Sequence, residues 1–311
     1  MKALLPTCLL GAVALFVVAQ NPAGEQPPAG ANEKIAAALP AEAYAKPKKE
    51  RKLLVFSKTG GFRHASIATG KLAFTEMGKK TGAFETVVSD DLENFEADKI
   101  KQFDGIMFLS TTMNPFLPSK AELEKLSEDE KKAAVAAAKE KEGKLRENFM
   151  AWVKDGGAFI GIHAATDTFY DWAEYGEMVN GYFDGHPWNA GTQVSIKVEP
   201  GQEKHPLVAM FDGQNVDFKE EIYQLKAPYD SSKVHMLLRL DPEKSDMNVK
   251  GLKREHDKDW GVAWARNWGK GRVFYCSLGH NHEMYWHPKV VRHYLAGIQW
   301  ALGDYEVEVT K

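Results

Sequence analysis

The sequence predicts an α/β fold with a mostly parallel sheet and added antiparallel strands. Three observations carry this. Short apolar runs alternate with stretches of helical spacing through the first half. That is the pattern of strands joined by crossover helices and covered on both faces. In the second half, strand-like runs follow one another with Gly and Pro between them. One amphipathic stretch near the end reads as a closing helix.

Composition agrees with a large globular chain. Of 311 residues, 44% are hydrophobic and 27% charged, which argues against wholesale disorder. Lys plus Arg is 40 and Asp plus Glu is 43, so the net charge of −3 leaves no basic footprint for nucleic acid. The two cysteines, Cys8 and Cys276, are too few for a disulfide framework or a Cys-rich zinc site.

Taken in order, the chain starts with Met1-Lys2 and an apolar run over 3–18, ending in Val17-Val18-Ala19. A basic start, a short apolar stretch and small residues before a cut after Ala19 read as a signal peptide over 1–19. The run is shorter than the ~20 residues that span a bilayer. The expectation is therefore export to the periplasm or the extracellular space, with no stable membrane insertion after cleavage. Residues 20–50, rich in Ala, Pro, Gly and Lys, read as a linker with at most a short helical turn around 35–39.

The globular part is expected over 51–304, with a tail at 305–311. Lys52–Ser57 is an apolar strand ending in Thr59-Gly60-Gly61. Ser66–Lys80 has helical spacing and stops at Gly82, a C-cap residue. Phe84–Ser89, Gly105–Ser110 and Ala158–His163 are the next strands. Between the last two, Ser119/Glu122 and Ser127/Glu130 are spaced as capping boxes. The Ala/Glu/Lys-rich stretch 131–154 reads as a long solvated helix that docks late, through Leu145, Phe149 and Trp152. Val194–Val198, Glu221–Leu225, Val234–Leu240, Gly261–Ala265 and Arg272–Ser277 read as strands, and Pro288–Leu302 as the closing helix.

Ligands of open parallel sheets bind at the carboxyl ends of the strands. Those ends carry Arg63-His64, then Thr111 to Asn114, then His163 to Asp167, then Gly279-His280. Gly185-His186-Pro187-Trp188 and Lys219-Glu220-Glu221 lie between them. A single loop histidine is ordinarily structural. Three at the ends of parallel strands share a site, because the fold brings those ends together. The expected catalytic set is His163, His64, His280, Glu221 and Asp167. The same histidines are candidate ligands for a divalent metal such as zinc, provided that they face one another. Arg63, Thr111, Asn114, His186 and Trp188 are the candidate substrate-binding set, with Trp172 and Trp286 as further stacking candidates.

Within this set, Gly161-Ile-His163-Ala-Ala has the shape of a nucleophile elbow, with His in place of the usual Ser or Cys. Helix N-terminal amides next to His163 would favour a neutral ring. In a strand entered at Lys219, side-chain alternation turns Glu221 and Tyr223 toward the site and Glu220 and Ile222 away from it.

Gly60-Gly-Phe-Arg-His64, Gly161-Ile-His-Ala-Ala-Thr-Asp167, Gly181-Tyr-Phe-Asp-Gly-His-Pro187, His205-Pro206, Glu220-Glu-Ile-Tyr223 and Ser277-Leu-Gly-His280 together resemble the ThuA family, named for trehalose utilisation. The resemblance covers about 51–304. It implies a three-layer, flavodoxin-like architecture similar to class I glutamine amidotransferases. It also implies a role in carbohydrate metabolism, on a glycoside or a 3-keto-sugar. Glutamine amidotransferase activity is not expected, because it needs a Cys at the elbow. The chemistry expected is that of a hydrolase, lyase or isomerase. The competing reading is a non-catalytic carbohydrate-binding protein, which would carry a shallow aromatic patch and no perturbed histidines.

Overall fold

The computed structural model describes residues 25–309. The expected signal peptide and Cys8 lie outside the described residues. Helix α1 (Ala31–Ala38) precedes strand β1 (Lys52–Phe56), helix α2 (Ile67–Thr81), and strands β2 (Glu85–Val88) and β3 (Gly105–Leu109). Helix α3 (Lys120–Leu123) and the long α4 (Glu128–Lys154) lead to β4 (Ala158–Ile162). Next come α5 (Ala173–Val179), β5 (Tyr182–Phe183), β6 (Gln193–Val198), β7 (Val216–Lys219) and β8 (Leu225–Lys226). The chain finishes with β9 (His235–Leu240), β10 (Gly261–Trp268), β11 (Gly271–Cys276) and α6 (Pro288–Ala301).

Nine strands form one sheet in the order β2-β1-β3-β4-β11-β10-β9-β6-β7. The first five are mutually parallel and the rest add antiparallel. Alternate side chains of each parallel strand enter opposite cores. Leu53, Val55, Met107, Ile160 and Cys276 pack with α2 and α6 on one face. Leu54, Phe56, Phe108, Phe159 and Tyr275 pack with Leu145, Phe149 and Val153 of α4 on the other. The result is the expected three-layer arrangement, and α4 docks late in its length as its apolar spacing predicts. Both capping boxes, Ser119/Glu122 and Ser127/Glu130, are formed. Among the described residues, no helix is long and apolar enough to cross a membrane.

Two expectations are corrected. The segment expected as a linker carries a packed element: Ala31, Ile35, Ala38 and Leu39 of the α1 region are buried in the α2 core. Lys80 donates from Nζ to the carbonyls of Ala36 and Leu39, at 2.8 Å each. Low local complexity hid an apolar spacing (31, 35, 38, 39) that is helical. Replacing Ile35 by Ala is accordingly expected to cost about 2–5 kcal/mol, the range for a buried large aliphatic. Urea denaturation of the full chain measures this, and a linker residue would show no change.

The second correction concerns 221–225. It is not a strand. Pairing runs through β7 just before it, and 220–224 is irregular, held by the Trp188–Ile222 bridge. The expected tail also packs, with Tyr305 donating to the Ala296 carbonyl at 2.7 Å.

A buried histidine away from the strand ends gives the fold a pH dependence. His293 on α6 is fully buried, meets Phe211 and Phe274 edge to face, and bonds the Leu207 carbonyl. Burial lowers its pKa to about 4. The unfolded chain, with an ordinary histidine near 6.5, then binds more protons in this window, so stability is present above about 6.5 and falls as pH drops toward 4. The expected loss from this one residue is roughly 3 kcal/mol. The difference between wild type and His293→Gln in urea titrations at pH 7 and pH 4.5 reads it out.

Candidate functional site

The sheet order sets the carboxyl ends of β1, β3, β4 and β11 side by side. His163 follows β4 directly. Its φ of 52° is left-handed, a conformation costly for most L-residues and one found at functional elbows. Small neighbours make the turn feasible. A Cβ on Gly279, itself at φ 144°, would stand 3.1 Å from the His163 Cβ. The ring's orientation is fixed by chemistry. Nδ1 lies 2.8 Å from the Ser277 carbonyl, which can only accept, so Nδ1 carries the hydrogen. The Nε2 lone pair therefore points into the cluster.

Three further side chains meet that lone pair. His64, on the loop after β1, places Nε2 3.1 Å from it. Glu221 Oε1 lies 3.6 Å from it and 3.1 Å from Nδ1 of His280, on the loop after β11. The four ligating atoms of His64, His163, Glu221 and His280 all lie within 4.8 Å of one another. His186 joins from the rim, its Nδ1 3.3 Å from Glu221 Oε2. Ligands of a tetrahedral zinc at ~2.05 Å stand about 3.3 Å apart, and these four atoms, within 4.8 Å, could close on one cation. The Ser277 contact is the outer-shell bond that ligating histidines ordinarily make.

The electrostatics fit. Burial, then the charges of His280 and His186, lower His64 to about 3. Burial, then His64 and His280, holds His163 well below the usual imidazole range. Both rings are neutral at pH 7 and offer lone pairs. Burial opposes charge on His280, but Glu221 and Glu220 override it and raise its pKa. The neutral ring of His163 thus stems from burial and its histidine neighbours. The element after it is a single 3-10 turn, His163–Asp167, rather than the helix expected to supply amide dipoles. Asp167 stands nearby with Tyr170 donating to it, and burial raises its pKa to about 6.

Glu220, which the sequence reading turns away from the site, supports the cluster from behind. It is fully buried, and its carboxylate accepts from the backbone amides of Gly279 (2.9 Å), His280 (2.6 Å) and Asn281 (3.0 Å). It therefore holds the loop that presents His280. The signal existed, because Glu220 shares its parity with Ile222, a core residue, and a buried carboxylate demands donors. Tyr223 is also at the cluster, its hydroxyl 3.3 Å from His163 Nε2.

Other expected binding residues are engaged elsewhere. Trp188 is fully buried and donates to the Asp246 carbonyl at 2.7 Å, so it cannot stack on a ligand. Thr111 is buried against the Thr168 hydroxyl at 2.8 Å. Asn114 donates to Glu142 and accepts from the Phe116 amide, stabilising its own loop. Arg63 is spent on Glu25 and the Ser57 carbonyl. Trp172 packs among Phe149, Phe169 and Tyr175, and Trp286 against His282. Strand-end position alone does not say which way a side chain points, and each of these found a closer partner. Cys276 is buried in β11 with its thiol pushed up to about 12, so no reactive thiol stands at the elbow.

Comparison with known proteins gives the same frame. A ThuA-like protein from Bacteroides uniformis is 20% identical, with a TM-score of 0.58 over 82% of this chain and 93% of that one. A ThuA-like protein from Parabacteroides merdae is 15% identical, with a TM-score of 0.52 over 82% and 90%. At these identities the likeness is one of fold. Among curated proteins no sequence match is found. The family model described as ThuA, trehalose utilisation, matches residues 52–301, which takes in every strand of the large sheet and all four clustered side chains. By that match the chain belongs to the ThuA, or trehalose-utilisation, family.

Proposed function

We propose that this chain is a carbohydrate-active enzyme, a hydrolase, lyase or isomerase acting on a glycoside or 3-keto-sugar. Its centre is a divalent cation, zinc first, held by His64, His163, His280 and Glu221. The observation that carries the reading is the convergence of those four ligating atoms within 4.8 Å. A cation there would supply Lewis-acid polarisation of a sugar oxygen. Around it the chain's own groups divide the remaining work. Asp167, raised toward neutrality, is suited to carry a proton near pH 6. His186, about half exposed, stands at the rim beside Glu221.

The buried, perturbed rings of His64 and His163 favour an enzyme over a shallow binding patch. A sugar ring also suits the rim. Phe62 and Met113, 65% and 49% exposed, are two of the three exposed large apolar side chains among the described residues. The Phe62 ring stands 4.8 Å from that of His64. An apolar surface beside polar ligands matches a pyranose, which has C–H faces and hydroxyl edges. The apolar leader over 1–19 supports export.

Metal analysis of the purified protein, with and without a chelator, tests the centre. A parallel screen of trehalose, other glucosides and their 3-keto derivatives tests the substrate class. About one zinc per chain, with turnover lost on chelation and restored by zinc, is expected. Full turnover of a sugar by metal-free protein would sink the cation, and a metalloprotein that neither binds nor turns over any of these sugars would sink the substrate class.

A further inference from the structure

We infer that the Tyr223 hydroxyl is the hydrogen-bond donor to the ligand bound at the cluster, an oxygen or small anion seated beside His163, His64 and Glu221. The inference rests on the cation-centred reading above, and it follows from counting hydrogens around one lone pair. His163 Nδ1 gives its hydrogen to the Ser277 carbonyl, so Nε2 has a single lone pair to offer. Two groups lie within hydrogen-bond distance of it, His64 Nε2 at 3.1 Å and the Tyr223 hydroxyl at 3.3 Å. A cation bound at Nε2 takes that lone pair. The His64 nitrogen becomes a ligand itself, while the Tyr223 hydrogen loses its acceptor.

Tyr223 cannot turn to water for another partner, since it is 4% exposed and its ring is held against Phe183 and His163 at 4.4 and 4.7 Å. A buried hydroxyl left without an acceptor is costly, so its hydrogen is directed to whatever acceptor occupies the next position around the cation. Its role is to orient and stabilise oxygen that gains negative charge, the task of an oxyanion donor.

Cobalt-substituted full-length protein with azide as the probe tests this without a known substrate. Tyr223→Phe removes only the hydroxyl and keeps the ring packing. The variant is expected to bind cobalt with unchanged stoichiometry and to melt like wild type. Its azide affinity, read from the visible cobalt bands, is expected to weaken roughly tenfold or more. Cobalt retained with azide affinity within twofold of wild type would overturn the role of Tyr223 and leave the cation reading intact. Weaker cobalt binding in the variant would overturn it too, by making Tyr223 a support of His163 alone. Wild-type protein that takes up no cobalt would bring down the cation reading and this inference together.

Discussion

His163→Asn is expected to lower turnover by about 10²–10⁴-fold while leaving the protein folded. The choice of Asn follows from the backbone. At φ 52° few side chains are tolerated, and Asn is among the least penalised. Its amide also keeps a donor near the Ser277 carbonyl. What it cannot restore is the Nε2 lone pair facing His64 and Glu221. Zinc stoichiometry should fall alongside turnover, and the melting temperature of the metal-free variant should stay close to that of metal-free wild type. Steady-state rates on a sugar that wild type turns over, with metal analysis on the same preparation, check both. A folded variant with full turnover would remove His163 from the mechanism.

Glu220→Ala carries the largest expected loss of stability. Three backbone amides would lose their acceptor in a buried position. Burial raises the Glu220 carboxyl to about 8, so these are not bonds to a full charge at pH 7, and stranding the three amides costs roughly 3–5 kcal/mol together, at about 1–3 kcal/mol each. Urea denaturation at pH 7 measures it. The loop carrying His280 should loosen as well, so metal affinity is expected to fall even where the variant remains folded. Glu220→Gln keeps one acceptor oxygen and should lie between the two. Equal stability of wild type and the Ala variant would show that the loop is held by other contacts.

Much of this architecture was legible in the sequence. The parallel strands announced themselves as short apolar runs, because both their faces are buried. The two capping boxes and the Gly82 stop were legible because caps are local chemistry. His64, His163 and His280 were legible as a group because the sheet rule places strand ends together whatever the side chains are, and Glu221 was placed with them by side-chain alternation. The rest depended on partners distant in sequence. Trp188 and Thr111 stand at turn and strand-end positions like the histidines do, yet Asp246 and Thr168 claim them. The 221–225 run looked like a strand because Ile, Tyr and Leu favour strands. Its irregular backbone still sets Ile222 into the core and turns Glu221 toward the histidines. Helix α1 was hidden in a composition typical of linkers, and only its packing on α2 reveals it.

The four clustered side chains come from segments widely spaced along the chain, with His64 and His163 alone 99 positions apart. No contiguous fragment short of nearly the whole domain contains them all, and no local structure brings any two together. The centre is thus a product of long-range topology, and it comes into being only when β1, β4 and β11 have taken their places. A ligand captured there binds the native state and has no counterpart site in the open chain, so it draws the folding equilibrium with it. Resistance to proteolysis should accordingly rise with added zinc across the entire sheet at once, instead of in one protected peptide.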